Sequence, residues 1–162
     1  MIRSANVNDL TELARVYDTA RQYMREKGNM NQWVNGYPSA ADLTRDIDRG
    51  VLYAMTDEEG RIYGAFALVP GEDPTYDYIE GGWRSDAPYA TIHRIGSDGT
   101  HRRVLEEAVT YARQTYDYLR ADTHADNMPM QHCLVKCGFE YRGVIYLANG
   151  DPRMAYDWIR EA

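Results

Sequence analysis

The residues best suited to handle protons or anions fall mostly in the second half of the chain. The stretch Tyr89–Ala112, YATIHRIGSDGTHRRVLEEAVTYA, reads as a buried strand, a short loop holding Gly96 and Gly99, and a helix. A helix that opens from such a turn presents free backbone N–H groups and the positive end of its dipole, which together make an anion site. Ser97-Asp98-Gly99-Thr100 forms the loop, and Arg102 and Arg103 stand at the helix start. Two cations there oppose the dipole, so a bound anion accounts for them better than a purely structural role. Solvated surface arginines are the plain alternative.

Imidazoles titrate near neutrality, which makes His93 and His124 candidate proton acceptors. His93 lies on the strand. His124 sits in Asp122-Thr123-His124-Ala125-Asp126, at the C-terminal end of another predicted strand, where open α/β sheets place ligands. Each has an equally good structural reading, His93 as a strand histidine with a fixed hydrogen bond and His124 as a side chain that orients its loop. Glu80 is a further candidate, more readily read as a solvated loop carboxylate. Tyr146 is a candidate acid, although strand tyrosines usually pack. Arg94 either reaches a ligand or forms a salt bridge, the simpler reading. Trp33, Tyr37 and Trp83 could wall an acceptor pocket, where a cation–π contact would suit an amine, or else anchor loops over the sheet. A metal site built from His93, His101, His124 and His132 is not expected, because no two of these histidines have the i,i+4 spacing of H-E-x-x-H.

These residues must be positioned by regular elements. Asn6 caps a helix over about residues 7–26, with Leu10, Leu13, Ala14, Tyr17, Ala20 and Met24 at helical spacing and Gly28 beyond its end. Ser39 caps a second helix that stops at Gly50. Val51–Thr56 and Arg61–Val69 form an antiparallel hairpin around a polar turn. Residues 70–88 are irregular and rich in Gly, Pro and aromatics. Tyr118–Thr123 is a strand, Asp126 or Asn127 caps a helix with a buried stripe of Met130, Cys133, Leu134 and Cys137, and two last strands flank Asn149-Gly150-Asp151. The unit at 89–123 joins two parallel strands through a helix, while the hairpins make the sheet mixed and mostly antiparallel. The fold class is therefore α/β (α+β), with helices on both faces of one sheet and a single domain over residues 1–162.

Composition sets the bounds. A net charge of −7 with no basic stripe argues against a nucleic-acid backbone as partner and mildly favours a cationic ligand. No apolar run could span a bilayer and no signal-peptide core is visible, so a cytoplasmic location without membrane attachment is expected. Cys133 and Cys137 read as buried thiols. The chain holds 14 Tyr against 2 Phe, a bias that suits a pocket for a polar organic ligand.

Order and residues together resemble the GNAT superfamily of acyl-CoA-dependent N-acetyltransferases over nearly the whole chain. Ile92-His93-Arg94-Ile95 leading through a loop into a helix is similar to the family's motif A. Asp126-Asn127 followed by a helix ending in Cys137-Gly138-Phe139 is similar to its Asn-led segment. The resemblance implies acetyl-CoA as co-substrate, no metal, and an amine acceptor on a small molecule or a peptide. It implies that the thioester arm lies between splayed strands at 90–97 and 118–123, pairing with Ile95, Gly96 and Ser97 and bonded by Asn127. Phosphates would meet Ser97, Gly99, Thr100, Arg94, Arg102 and Arg103. A homodimer is one open arrangement. Two departures stand out. The loop is short and lacks the family's last glycines, and Leu134 occupies the position of a proton-donating tyrosine. They motivate the alternative of a GNAT-like binding module without transfer activity.

Overall fold

In the computed structural model, which describes residues 1–161, the chain passes through β1 (Ile2–Ser4), α1 (Leu10–Glu26), α2 (Ala40–Asp48), β2 (Leu52–Thr56), β3 (Ile62–Pro70), β4 (Glu80–Gly81), β5 (Ala90–Ser97), α3 (Val104–Arg113), β6 (Tyr118–Thr123), α4 (Met128–Lys136), β7 (Glu140–Tyr146) and β8 (Pro152–Ile159). Capping boxes open both N-terminal helical segments. The Asn6 amide donates to Asp9 (2.9 Å) ahead of a 3-10 turn that leads into α1, and Ser39 and Asp42 exchange hydrogen bonds of 2.8 and 3.2 Å at the start of α2. Each box satisfies amides that a helix start leaves open.

The strands form one sheet in the order β1-β2-β3-β5-β6-β8-β7-β4. All neighbours are antiparallel except β5 and β6, as the strand-helix-strand unit predicts. Helices cover both faces. Leu13, Val16, Tyr17 and Leu43 from α1 and α2 pack on Ala54, Ala65 and Ala67. Leu105, Ala108, Val109 and Leu134 from α3 and α4 pack on Phe66, Ile92 and Leu119 on the other face. Small residues under α1 and α2, and large ones under α3 and α4, let central β3 bury both sides. Tyr76, Tyr89, Tyr118, Ile145 and Ala155 make a third cluster beneath residues 70–88.

Two expectations need correction. The segment 70–88 is not irregular throughout, because Glu80 and Gly81 form β4 against Val144 and Gly143. That contact requires glycine on both sides. Gly81 and Gly143 have φ of 127° and 144°, and a Cβ on Gly143 would lie 2.0 Å from the Glu80 carbonyl oxygen. Cys133 is exposed rather than part of a buried stripe, since the short α4 turns only a narrow face inward, with Leu134 and Cys137 buried. Among the described residues, no helix is long and apolar enough to cross a membrane.

The feature that makes a site is the join between β5 and β6. The two strands meet only at Ala90 with Leu119 and Thr91 with Arg120. Past that point β5 bulges. Ala67 of β3 faces His93 while Ala65 faces Gly96, so β5 carries an extra residue, and Arg94 takes a left-handed φ of 50°. The bulge is held by α1. The Tyr17 hydroxyl donates to the Arg94 carbonyl (2.6 Å), and a Cβ on Gly96 would lie 3.0 Å from the Tyr17 ring.

Candidate functional site

The diverging ends of β5 and β6 open into a cleft of about 430 Å³, lined among others by Trp33, Tyr37, His93, Asp122, Asn127 and Arg153. Its walls are the α1–α2 connection, the bulged end of β5, the end of β6 and the β7–β8 hairpin. This volume falls in the range of small-molecule sites.

His93 is the sequence-predicted proton acceptor that reaches the cleft, and it has a partner. Its Nε2 lies 3.0 Å from Asp73 Oδ2. Asp73 caps a 3-10 turn (Pro74–Tyr76), taking hydrogen bonds from the Thr75 amide (2.9 Å) and hydroxyl (2.7 Å) on its other oxygen. Burial alone would raise its pKa, but the hydrogen bonds from His93 and Thr75 outweigh burial and bring it down to about 2. A carboxylate so held can only accept, so Nε2 carries the hydrogen and Nδ1 keeps the lone pair. Beside this pair the buried Tyr76 hydroxyl donates to Asp122 Oδ2 (2.5 Å). Burial first, and then Asp122, push its pKa well up, so it remains a donor.

The other predicted groups divide between cleft and scaffold. Trp33 and Tyr37 line the cleft. Trp83 does not. Its indole donates to the Tyr76 carbonyl (3.0 Å), and its ring lies 4.1 Å from the Arg120 guanidinium carbon. Glu80 and Tyr146 stand together on the outer β4–β7 ladder, where hydrogen bonding to Glu80 raises the pKa of Tyr146. The Nδ1 of His124 accepts from the Asp126 amide (2.9 Å) and fixes its own loop. Arg94 spends its guanidinium on Asp46 of α2 (2.6 and 3.0 Å) and on the Tyr37 hydroxyl (3.0 Å). Among the described residues, no group of three or more metal-ligating side chains stands together.

The loop before α3 is built differently from its sequence expectation. The Gly99 amide donates to Ser97 Oγ (3.1 Å) and the Thr100 amide to Asp98 Oδ1 (3.0 Å), so these donors are spent inside the turn. Asp98 faces inward at 3% side-chain exposure, against Arg15 Nη1 (3.1 Å). Burial would raise its pKa, but Thr100 and Arg15 outweigh that and lower it. The helix itself begins at Val104, after Arg103 in the left-handed region with no side-chain cap. Among the described residues, the backbone amides from His101 to Glu106 have no acceptor, the first backbone bond into the helix being Glu107 to Arg103. Arg102 and Arg103 are exposed beside them. An anion therefore finds open donors and two cations here, displaced a few residues from Ser97–Thr100.

Asn127 caps α4, its Oδ1 accepting from the Met130 amide (3.2 Å). Its Nδ2 donates to Gln32 Oε1 (3.1 Å), which also takes the Asn29 amide group (2.9 Å). Gln32 thus ties the α1–α2 connection to the far side of the cleft. Sequence reasoning missed Gln32, Asp73 and Arg153 as site residues. Arg153 left a trace in the pattern, because strand alternation in β8 puts it on the face of Ala155 and Asp157.

No family model and no curated protein matches this chain. Solved structures do. An acetyltransferase of the GNAT family from Streptococcus agalactiae is 31% identical, with 100% of this chain and 96% of that chain covered and a TM-score of 0.88. An acetyltransferase of the same family from Listeria monocytogenes is 16% identical, covering 98% and 94%, with a TM-score of 0.72. A ribosomal-protein-alanine N-acetyltransferase from Brucella melitensis is 19% identical, covering 98% and 99%, with a TM-score of 0.64. The latter two share the fold. With 31% identity to the streptococcal protein along its whole length, a parallel strand pair that parts at a bulge and an open helix start beside it, the chain belongs to the GNAT acetyltransferase family.

Proposed function

We propose that the protein transfers an acetyl group from acetyl-CoA to the amine of a small molecule. The observation that carries this reading is the parting of β5 and β6 beyond Thr91, directly beside the His93–Asp73 pair. Acetyl-CoA would supply the activated acetyl group. The open amides from His101 to Glu106, with Arg102 and Arg103, suit its diphosphate, and no side chain closes the Arg103 cap that they surround. The unpaired edge of β5 past Thr91, through Ile95, Gly96 and Ser97, offers backbone donors and acceptors to an extended arm. Asn127 reaches the same arm once it exchanges its bond to Gln32.

An amine nucleophile must shed a proton as it is acylated. His93 takes that proton at Nδ1, and Asp73 stabilises the resulting imidazolium across the 3.0 Å contact at Nε2. Trp33 and Tyr37 shape the acceptor side of the cleft and limit water there. Leu134 is buried and cannot protonate the departing thiolate, so that proton comes from solvent. Calorimetric titration with acetyl-CoA and thiol-release assays across an amine panel test the reading. Micromolar cofactor binding and amine-dependent thiol release are expected. Absence of cofactor binding at high micromolar concentration would sink it, and binding without transfer to any amine would leave a ligand-binding module.

A further inference from the structure

Arg153 is a cation for which the acetyl-transfer reading has no task. It lies on β8 opposite Ile145, is only 7% exposed, and borders the cleft. Its hydrogen bond runs from Nη1 to the carbonyl of its neighbour Pro152 (2.8 Å). Among the described residues, no carboxylate lies within 4.0 Å of it. Arg84 and Arg94, by contrast, are each matched to a buried aspartate, Asp157 and Asp46. A guanidinium has five N–H donors in a planar fork, and burying it without a counter-ion is costly. The fork therefore awaits an anion that arrives in the cleft.

That anion is not the diphosphate. Ser97 to Arg103 lie outside the lining of this cleft, and the arm that would enter between β5 and β6 is uncharged. It must belong to the acceptor. The cleft also carries Asp122 and the His93–Asp73 pair, so it offers a cation for a carboxylate and carboxylates for an ammonium. The remaining acidic wall, Asp151, is held by Asn149 Nδ2 (3.2 Å) within the hairpin.

We propose that Arg153 binds the carboxylate of the acceptor, which makes the acceptor an amino acid acetylated on its amine. The proposal rests on the acetyl-transfer reading for the reaction but not for the binding. A bidentate guanidinium–carboxylate contact also fixes the direction in which the amine approaches His93.

The test uses matched pairs that differ in one carboxylate: each standard amino acid against its decarboxylated amine, such as L-phenylalanine with phenethylamine or L-arginine with agmatine. Thiol release from acetyl-CoA and calorimetric binding without acetyl-CoA are measured for both members. The amino acid of the best pair is expected to win by about tenfold or more in kcat/KM, and Arg153→Gln is expected to erase the difference. Equal or better use of the amine, survival of the preference in R153Q, or no binding and no turnover of any amino acid would overturn it. Arg153-dependent binding of an amino acid without thiol release would uphold this site while ending the transfer reading. Should R153Q fail to fold by circular dichroism, Arg153→Lys and the wild-type pairs still decide.

Discussion

Nε2 of His93 lies 3.0 Å from Oδ2 of Asp73, across twenty residues of sequence and two different elements. The contact fixes the tautomer of the ring and leaves Nδ1 basic. His93→Gln is expected to lower acetyl transfer by about 10²–10⁴-fold while cofactor affinity stays nearly constant. Asp73→Asn should cost about tenfold or more through loss of ring orientation. Steady-state kinetics alongside calorimetry separates the two effects, and full turnover in His93→Gln would move the base elsewhere.

Asp73 also links folding to pH. Its folded pKa is lowered to about 2, whereas an unfolded aspartate titrates at about 3.9. A depressed carboxylate contributes stability above the unfolded value and loses it as pH falls through the folded one. Urea midpoints measured from pH 5 to about 2 should therefore drop more steeply for the wild type than for Asp73→Asn. Parallel curves would mean that the carboxylate is not held as its contacts require.

The Arg94–Asp46 ion pair pins the bulge of β5 to α2, with Asp46 only 4% exposed. Removing one member of a buried pair strands the other charge. Asp46→Ala is expected to destabilise the fold by about 3 kcal/mol in denaturant titration, with Asp46→Asn costing less because it still hydrogen-bonds. Loss of less than about 1 kcal/mol in Asp46→Ala would show that solvent already screens the pair.

Arg102 and Arg103 flank the open amides at the start of α3 without a structural partner closer than the 3.8 Å contact between Arg103 and Glu106. The double change Arg102→Glu with Arg103→Glu should raise the KM for acetyl-CoA by about tenfold or more with little change in kcat. An unchanged KM would place the diphosphate somewhere else.

A methyl group at Gly143 cannot fit against the Glu80 carbonyl 2.0 Å away. Gly143→Ala is expected to release β4, seen as faster amide exchange at Gly82, whose N–H is bonded to the Arg142 carbonyl (3.1 Å). Unaltered protection there would mean the strands part and re-pair without cost.

Much of this architecture was legible in the sequence because it depends on local chemistry. Asn6 with Asp9 and Ser39 with Asp42 announce their helices, and Asn149-Gly150 announces a hairpin, through bonds that span a few residues. The mixed sheet follows from the hairpins and the strand-helix-strand unit. What the sequence could not show are contacts made at long range. Asp73 lies in a segment without periodicity, and nothing local aims it at His93. Trp83 looks like a pocket wall until Arg120, 37 positions on, claims its face. Glu80 and Tyr146 carry useful chemistry, but the ladder order puts both on the outer edge. Gly99 and Thr100 look like phosphate donors because the sequence does not reveal that the turn consumes their amides.

The two short pairings that join β5 to β6 give the sheet a hinge-like seam. On one side lie β1, β2, β3 and β5, and on the other β6, β8, β7 and β4. Beyond Arg120 the backbone edges along that seam lack the rungs that would bind one half to the other. The extended arm proposed for the gap would act as a substitute strand, bonded to both halves at once. Heating, proteolysis and mechanical pulling should then all register the occupant as a suture, with the protein most resistant to coming apart when its cleft is filled.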